Sequence, residues 1–533
     1  MTILRAALAS ALGLLLSLSS LSSHALTPEQ AFAMAAAEDS DARVAAINSA
    51  VLEPGNDGKL SAYLQALADD AVRTAEGKAY IVNGDAATDP VTGQAVKLPA
   101  EAEDVVNNNY LRGVIEAAQA ALALSSSDVS TRRSAAERIA AEPDAARLPL
   151  IEKALGREQD EQVKALLNRA RAASLLSSED TAQRVRAVEQ LAQQKTPETQ
   201  LLLNQRLAEE SDPAVQKALR DALASIVESL TWGERLGEIF SGISLGSVLL
   251  LAALGLAITY GLMGVINMAH GELIMIGAYA TYMVQALFQR YLPESVFGWY
   301  LVLAVPVAFM ASALVGAVLE RGVIRFLYGR PLETLLATFG ISLVLQQTVR
   351  SLFGAQNVGV ENPSWMSGGL ELLPNLTLPW NRIAIIVFAF AVLGAVAFMI
   401  ARTRLGLFVR GVTQNRAMAS CVGVNTARTD TYAFALGSGI AGLAGCALSQ
   451  IGNVGPDLGQ NYIVDSFLVV VLGGVGQLAG TVYAALGLGV LSKLLEGWTG
   501  AVLAKIAVLL FIVIFIQKRP QGIFALKGRS AET

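Results

Sequence analysis

The sequence predicts an all-α protein in two parts, a helical domain outside the membrane followed by a polytopic transmembrane helical domain. Charged residues are frequent in the first part of the 533-residue chain, whereas long uncharged runs fill the second part. These runs have the lengths that membrane-spanning helices require. The predicted organisation is a signal peptide at residues 1–25, an extracytoplasmic helical domain at 26–229, a transmembrane domain at 238–518 and a cytoplasmic tail at 519–533.

The first 25 residues have the pattern of a secretory signal peptide. Arg5 is followed by an apolar run from Ala6 to Leu21, and a Ser-His-Ala ending closes at Ala25. The alternative is an uncleaved anchor helix, although the apolar run is shorter than the roughly 20 residues that a span needs. Either interpretation places the next domain outside the cytoplasm.

The second half of the predicted helical domain contains an internal repeat at an offset of 52 residues. The segment RRSAAERIA at 132–140 matches RVRAVEQLA at 184–192. In both copies an aspartate, Asp160 or Asp212, precedes apolar positions spaced by three and four, which is typical of an N-cap followed by an amphipathic helix. The pattern resembles HEAT-like α-solenoid repeats. Two functions of this domain remain open, a docking surface for another protein and a plain spacer. The turn residues at 84–98 predict an irregular hairpin insertion.

Composition excludes some chemistry. Both cysteines, Cys421 and Cys446, fall in the predicted membrane part, so the exported domain has no disulfide available and must be stabilised by packing. The net charge of −5 combines an acidic front with basic membrane loops and does not indicate nucleic-acid binding.

The uncharged runs predict about nine membrane spans. They are placed at 244–263, 268–287, 299–320, 334–353, 381–401, 431–452, 463–480, 481–496 and 500–517. Basic residues cluster in three of the connecting segments, which the positive-inside rule places in the cytoplasm. These are Arg321, Arg325 and Arg330; Arg402, Arg404, Arg410, Arg416 and Arg428; and Lys518, Arg519, Lys527 and Arg529. The helical domain is then expected outside, in the periplasm, and the C-terminus inside.

The stretch from Gly255 to Val284 (GLAITYGLMGVINMAHGELIMIGAYATYMV) is the most informative part of the chain. Asn267, His270 and Glu272 form a polar cluster among apolar and small residues, between the first two predicted spans. Unsatisfied polar groups at membrane depth are costly, so this cluster indicates a pathway or a hinge. The alternative is that Asn267 and His270 cap helices at a tight turn, and a proton-transfer role for His270 is less favoured.

Three segments carry a resemblance to a known family. GVINMAHGELIMIGAY (264–279), the basic loop and following span at 404–445, and the glycine-rich stretch NYIVDSFLVVVLGGVGQLAGTVYAALGLG (461–489) resemble the branched-chain amino-acid ABC permease family. The resemblance covers roughly 245–527. The GGVGQLAG segment lacks the Lys-Ser or Lys-Thr ending of a phosphate loop, so no nucleotide site is expected in this chain.

The resemblance implies two sets of functional residues. The implied substrate-pathway residues are Asn267, Ala269, His270, Gly271, Met275, Gly277, Gly473, Gly474 and Gly476. The implied ATPase-coupling residues are Arg410, Gly411, Gln414, Asn415, Met418 and Ala419. A short helix from about Thr413 to Cys421 would seat in a groove of the ATPase, although a basic loop faces the cytoplasm in any membrane protein. No metal site and no catalytic residue is expected.

The resemblance also implies the partners and the cargo. The chain is expected to be an inner-membrane permease subunit of an ABC importer, in contact with membrane lipid. Its expected partners are a second homologous permease, two ABC ATPases that bind the ATP, and a periplasmic substrate-binding protein. The extra exported domain and the ending FIQKRPQGIFALKGR resemble the urea-type members of the family, which predicts urea or a small amide as the cargo.

Other functions remain as alternatives. The nearest alternative is a permease with the same transport mechanism whose cargo is branched-chain amino acids or short amides. A membrane sensor is less favoured, because it would need a cytoplasmic output domain after Lys518 and the sequence predicts no such domain there. An intramembrane enzyme is disfavoured because the spans contain no His-Glu-x-x-His helix and no paired aspartates. Gln346, Gln347 and Thr348 would suit a path for a neutral polar molecule, but hydrogen bonding between helices is their more favoured use.

Overall fold

The structure is a computed structural model that describes residues 26–37, 39–52, 57–84, 86–99, 101–141, 147–264 and 266–524. The chain divides into two compact units, Met1–Leu230 and Thr231–Thr533. The predicted signal peptide lies outside the described residues, as does the end of the predicted tail from residue 525 onward.

The first unit is mainly helical, and its helices begin at polar caps. Asn108, Asp160 and Thr196, for example, each accept a hydrogen bond from an amide in the first turn of the helix that follows. The helices are α1 (Pro28–Ala36), α2 (Ser40–Leu52), α3 (Asp57–Ala68), α4 (Asn109–Ala123), α5 (Val129–Ala141), α6 (Leu148–Leu155), α7 (Glu161–Leu175), α8 (Thr181–Ala192), α9 (Pro197–Glu209) and α10 (Pro213–Met263), which continues into the second unit.

A small antiparallel sheet interrupts these helices. Its strands are β1 (Val72–Ala75), β2 (Lys78–Asn83), β3 (Ala86–Thr88), β4 (Ala95–Val96) and β5 (Glu103–Asp104), in the order β4-β3-β2-β1-β5. The sequence predicted only a hairpin at 84–98. The β1–β2 hairpin was missed because its tight turn consists of Glu76 and Gly77, both with positive φ, instead of the Asn-Gly or Asp-Gly pair that marks such turns.

The sequence offset of 52 residues recurs in the side-chain contacts of the first unit. Arg132 forms an ion pair with Glu158 at 2.8 Å, and Arg184 forms the same pair with Glu210 at 3.2 Å. In each copy the arginine also donates to two carbonyl groups before its own helix, those of residues 126 and 127 or of 178 and 179. The repeat therefore positions an equivalent ion pair in both copies.

The second unit confirms the prediction of a polytopic helical fold. Its remaining helices are α11 (His270–Tyr291), α12 (Tyr300–Gly322), α13 (Pro331–Phe353), α14 (Trp380–Arg402), α15 (Arg404–Gln414), α16 (Arg416–Cys421), α17 (Thr426–Ser449), α18 (Leu458–Gly473), α19 (Leu478–Thr499) and α20 (Ala501–Lys518), with a hairpin of β6 (Gly369–Leu373) and β7 (Leu376–Pro379). Among the described residues, eight helices are long and apolar enough to cross a membrane, and α18 is a shorter apolar helix.

The seventh and eighth predicted spans differ from the structure in their boundaries. Helix α18 ends at Gly473 and α19 begins at Leu478, so the predicted span at 463–480 includes the turn between them. Gly474 and Gly476 in this turn have φ of +99° and +78°, a conformation that favours glycine and ends the helix.

Helices α11 and α17 form the centre of the second unit. Of the apolar stretch of α17, 83% is buried, compared with 17% for α14, which presents most of its surface outward. Close backbone contact makes this packing possible: a Cβ atom on Gly277 would lie 2.2 Å from the Gly442 carbonyl oxygen, and one on Gly445 would lie 1.9 Å from that of Ile274. Small residues therefore bring α11 and α17 together.

Candidate functional site

The connection between α10 and α11 lies inside the helical unit and not at its end. Helix α10 ends at Met263 and α11 begins at His270, and the described residues between them are not helical. His270 Nε2 lies 3.0 Å from the carbonyl oxygen of Ala252, which is eleven residues before the end of α10, or about 16 Å along its axis. Helix α11 therefore begins at the depth of the spans, where non-helical backbone requires protein partners or a cavity.

Side chains supply the partners for the backbone in this break. Asn267 Oδ1 accepts a hydrogen bond from the Ala269 amide at 3.0 Å, and Thr338 Oγ1 accepts one from the Met268 amide at 3.2 Å. Asn267 is buried, and its Nδ2 atom has no hydrogen-bond partner among the described residues. Asn267 therefore stabilises the turn that precedes α11, whereas the N-cap residue of α11 is Ala269, which makes no side-chain cap hydrogen bond.

His270 is fully buried, and its ring packs against Gly255. A Cβ atom on that glycine would approach the ring to 3.0 Å, so the imidazole fits because residue 255 has no side chain. With Nε2 bound to the Ala252 carbonyl, the ring holds the start of α11 against α10. His270 therefore packs between the two helices, and its other ring nitrogen, Nδ1, has no hydrogen-bond partner within the described ranges.

Glu272 joins α11 to α13 by hydrogen bonds. Its Oε1 atom accepts from Ser342 Oγ at 2.9 Å and from Gln346 Nε2 at 2.7 Å, and all three side chains are buried. Gln346 thus makes the contact between helices that was its favoured use. Gln347 and Thr348 are exposed, on another face of α13.

The small predicted pathway residues occupy packing positions. Ala269 and Met275 are buried in the core, and Gly271 and Gly277 lie where α11 meets α18 and α17. A Cβ atom on Gly271 would be 2.5 Å from the Gly459 carbonyl oxygen. The structure therefore gathers six of the predicted residues around the start of α11: Asn267, Ala269, His270, Gly271, Met275 and Gly277.

The other three predicted pathway residues lie at the α18–α19 turn. Gly473 faces Gly480 at a backbone contact, and a Cβ atom on Gly474 would lie 2.4 Å from the Phe524 carbonyl oxygen. Gly476 lies against Gly261 near the end of α10. This turn packs beside the end of α10, away from Glu272, so the structure does not place the nine residues in one cluster.

The predicted coupling segment consists of two helices instead of one. The predicted helix from Thr413 to Cys421 is wrong at its start, because α15 continues to Gln414 and α16 begins at Arg416. Between them Asn415 has extended backbone, and its Oδ1 accepts a hydrogen bond from the Met418 amide at 2.9 Å. Asparagine favours this N-cap role over a helix interior, which explains the break.

Five of the six predicted coupling residues face outward. Arg410, Gly411, Gln414, Asn415 and Met418 are exposed, with Met418 61% accessible. Ala419 is 6% accessible and packs in the same core cluster as Val412. Ala419 therefore anchors α16 to the helical unit instead of offering a contact to a partner.

A network of charged residues surrounds this segment. Arg416 of α16 forms an ion pair with the buried Asp430 of α17, and its guanidinium carbon lies 4.9 Å from the centre of the Tyr328 ring. Beside it, buried Glu320 accepts from Thr431 Oγ1 at 2.7 Å and pairs with Arg325 at 3.3 Å. The network links α16 to the start of α17 and the end of α12.

The sequence placed Glu272 in the polar cluster but not among the pathway residues implied by the resemblance, and it left Glu320, Asp430 and Arg416 out of both predicted sets. A signal for the acids was present, since each of them borders an uncharged run long enough to span a membrane. An acid in that position needs a partner or a function. The partners were not visible, because they lie as many as 111 residues away along the chain.

These features define the class of protein. A buried centre of small-residue helices, with a helix that breaks at the depth of the spans, is typical of membrane transport proteins. Residues 238–517 match the family described as the permease component of the branched-chain amino acid transport system. The match includes more than half of the chain, and the chain therefore belongs to this family of transport permeases.

Curated relatives agree with this assignment. Over 297 residues the chain is 29% identical to the high-affinity branched-chain amino acid transport system permease protein LivH of Escherichia coli K12, covering 54% of this chain and 94% of that protein. Over 298 residues it is 27% identical to the corresponding protein BraD of Pseudomonas aeruginosa, covering 54% and 95%. A probable LivH of Methanocaldococcus jannaschii is 24% identical, covering 52% and 88%. No solved structure matches the chain.

Proposed function

We propose that this chain is the inner-membrane permease subunit of an ABC importer for urea or a similarly small amide. It forms half of the translocation pathway, beside a second homologous permease. Two ABC ATPases bind ATP and supply the energy, and a periplasmic binding protein delivers the substrate. In this proposal the chain has no cofactor and catalyses no reaction itself.

The observation that carries the proposal is the break between α10 and α11. Buried polar side chains lie at and beside this break: Asn267 is on the connecting segment, and Glu272 of α11 accepts hydrogen bonds from Ser342 and Gln346 of α13. Transport proteins place substrate sites at breaks of this kind, because backbone and polar side chains are available there without contact with lipid. A small polar cargo fits such surroundings.

The preference for urea over branched-chain amino acids depends on the first unit of the chain. The family match covers residues 238–517, so Met1–Leu230 lies outside it, and the match to Escherichia coli LivH likewise covers 94% of that protein but only 54% of this chain. The added domain supports a urea-type permease, of the kind called UrtB. We infer that this domain is periplasmic, follows a cleaved signal peptide and consists of HEAT-like repeats, and that the C-terminus is cytoplasmic.

The coupling segment supports the role of separate ATPases. Helices α15 and α16 expose a basic and partly apolar surface that includes Arg410 and Met418. The basic residues of this segment place it on the cytoplasmic side under the positive-inside rule. A rigid exposed helix connected to α17 through Arg416 suits the transfer of motion from a soluble partner to the spans.

Uptake by the reconstituted transporter tests the proposal. The permease pair, the ATPases and the binding protein are placed in liposomes with ATP, and initial uptake of radiolabelled urea, acetamide and leucine is measured. We expect ATP-dependent uptake of urea or acetamide to exceed that of leucine by at least tenfold. Preferred uptake of leucine identifies the branched-chain amino acid alternative, and uptake that does not need the ATPases contradicts the proposed mechanism.

A further inference from the structure

One face of α11 carries two buried polar atoms without a hydrogen-bond partner in the part of the chain that the structure describes. Glu272 and Tyr279 are seven residues apart, so they lie on the same face of the helix, separated by about 10.5 Å along its axis. Glu272 is 1% accessible and Tyr279 is 3% accessible. Glu272 Oε2 and the Tyr279 hydroxyl have no hydrogen-bond partner among the residues that the structure describes. Buried polar groups in proteins are normally paired, so both atoms require an explanation.

Packing and hydrogen bonding within the protein do not provide that explanation. Both donors that reach Glu272, from Ser342 and Gln346, bind the same oxygen, Oε1, and leave Oε2 free. The ring of Tyr279 packs against that of Phe353 at a tilt of 35°, with centroids 4.6 Å apart. A phenylalanine would make the same ring contact, so packing accounts for the ring but not for its hydroxyl group.

A third polar residue approaches this face from another helix. Asp457 directly precedes α18, two residues before Gly459, whose carbonyl group packs against Gly271, the chain neighbour of Glu272. Glu272, Tyr279 and Asp457 together form a strip that has polar groups from α11 and α18, with α13 beside it. Its first member, Glu272, is in the first turn of α11, next to the break that the proposed function uses.

We propose that Glu272 Oε2 and the Tyr279 hydroxyl bind the substrate at two successive positions along the pathway. The inference rests on the proposed function and names the residues that select its cargo. A carboxylate accepts hydrogen bonds from N–H groups, and a phenol can donate to a carbonyl oxygen or accept from N–H. The ligand is a small molecule with at least two N–H donors, as in urea or a primary amide. The backbone positions of the two residues are about 10.5 Å apart along α11, so we assign the substrate a contact with each of them in turn.

The test compares conservative variants of the full permease in the reconstituted, ATP-driven complex. Tyr279→Phe removes a hydroxyl group for which the described residues offer no hydrogen-bond partner, and Glu272→Gln keeps the shape of the side chain. Ser312→Ala is the matched control, because its buried hydroxyl donates to the Leu273 carbonyl at 2.9 Å, next to Glu272, but outside the strip. The initial rate of uptake, the KM for the substrate and the Tm of the purified chain are measured.

We expect Tyr279→Phe to raise the KM at least fivefold with an unchanged Tm, and Glu272→Gln to lower uptake at least tenfold. Ser312→Ala should stay within twofold of the parent protein in uptake, even if its Tm falls. A purely structural role for Tyr279 predicts no change in KM, since no hydrogen bond of the protein is lost. Parental KM in both Tyr279→Phe and Glu272→Gln overturns the inference; should Glu272→Gln fail to fold, the Tyr279→Phe result decides.

Measuring each variant with both urea and leucine separates this inference from the proposed function. If the parent protein transports leucine and not urea, the urea assignment fails, and a raised KM for leucine in Tyr279→Phe still supports the binding strip. If urea is transported and neither variant changes its KM, the binding strip is wrong and the urea assignment stands. A parent complex that transports neither substrate contradicts both.

Discussion

Arg416 and Asp430 form an ion pair that joins the exposed helix α16 to the first turns of α17. Asp430 is buried, whereas Arg416 is partly exposed and also lies over the ring of Tyr328. The Tyr328 hydroxyl in turn lies 2.6 Å from the sulfur of Met263 at the end of α10. A displacement of α16 by a partner can therefore reach both α17 and α10 through short, direct contacts.

Removing the charge of Asp430 should separate ATP hydrolysis from transport. In Asp430→Asn the ion pair with Arg416 is lost, so we expect uptake to fall at least fivefold while basal ATP hydrolysis by the complex stays within twofold. Uptake and phosphate release are measured on the same preparation. Glu333→Gln is the control, because the Arg330–Glu333 pair is exposed on both sides and contributes little. A parental ratio of transport to hydrolysis in Asp430→Asn would count against this connection.

Negative charge on the exposed coupling surface should weaken ATPase binding. Gln414→Glu combined with Asn415→Asp adds two charges, and aspartate preserves the N-cap that Asn415 supplies to α16. We expect the purified permease to retain less than a third of the ATPase and to lose substrate-stimulated hydrolysis. Asn415→Ala, which removes the cap without adding charge, distinguishes damage to the helix from repulsion of the partner. Unchanged ATPase retention in the doubly charged variant would show that this surface does not bind it.

The local features of the site could be predicted from the sequence, because they involve neighbours along the chain. The polar cluster of Asn267, His270 and Glu272 stands out within an apolar stretch, and the hydrogen bond that Asn267 accepts comes from a residue only two positions away. The hydrogen bonds of Glu272 to Ser342 and Gln346 connect positions 70 and 74 residues apart. Such pairings depend on how helices pack, which one sequence does not reveal.

Two predictions from the sequence were wrong because a single local feature broke a predicted helix or concealed a pair of strands. The cap at Asn415 starts a new helix, so the face that α16 presents differs from that of a continuous helix, and Ala419 points into the core. In the first unit, the turn at Glu76 and Gly77 lacks the usual residue pair, which concealed a sheet. The spans themselves were predictable, because their apolar length follows directly from the solvent around them.

Adding a methyl group at the contact between α11 and α17 should destabilise the second unit. In Gly277→Ala the new Cβ would lie 2.2 Å from the Gly442 carbonyl oxygen, so the helices must separate. Overpacking of this kind costs about 1–3 kcal/mol or more, and the Tm of the purified chain should fall. Gly394→Ala is the control: it is in helix α14 with no atom near the added Cβ, and alanine is the better helix former. Equal Tm values for both variants would contradict the close contact.

The repeated ion pairs of the first unit should make its stability depend on pH in the acidic range. Hydrogen bonding from Arg132 lowers the pKa of Glu158 from its ordinary value of 4.5 to about 2. At Glu210, hydrogen bonds from the Asp212 amide and Arg206 outweigh the opposing effect of burial, so the pKa of this carboxyl is also lowered. Carboxylates with lowered pKa values stabilise the folded state above their ordinary pKa, and this contribution is lost as the pH falls toward the folded value.

Thermal unfolding of the full chain between pH 7 and pH 3 tests this dependence. We expect the transition of the first unit to move to lower temperature below about pH 4.5, the ordinary pKa of Glu158. Glu158→Gln should lower the transition temperature at pH 7 by roughly 5 °C or more, because Arg132 loses its charged partner, and should flatten the decline in acid. Glu161→Gln, at an exposed pair with Lys164, should change neither value appreciably. If Glu158→Gln keeps the full acid dependence of the parent chain, other carboxylates cause that dependence and the Arg132–Glu158 pair does not.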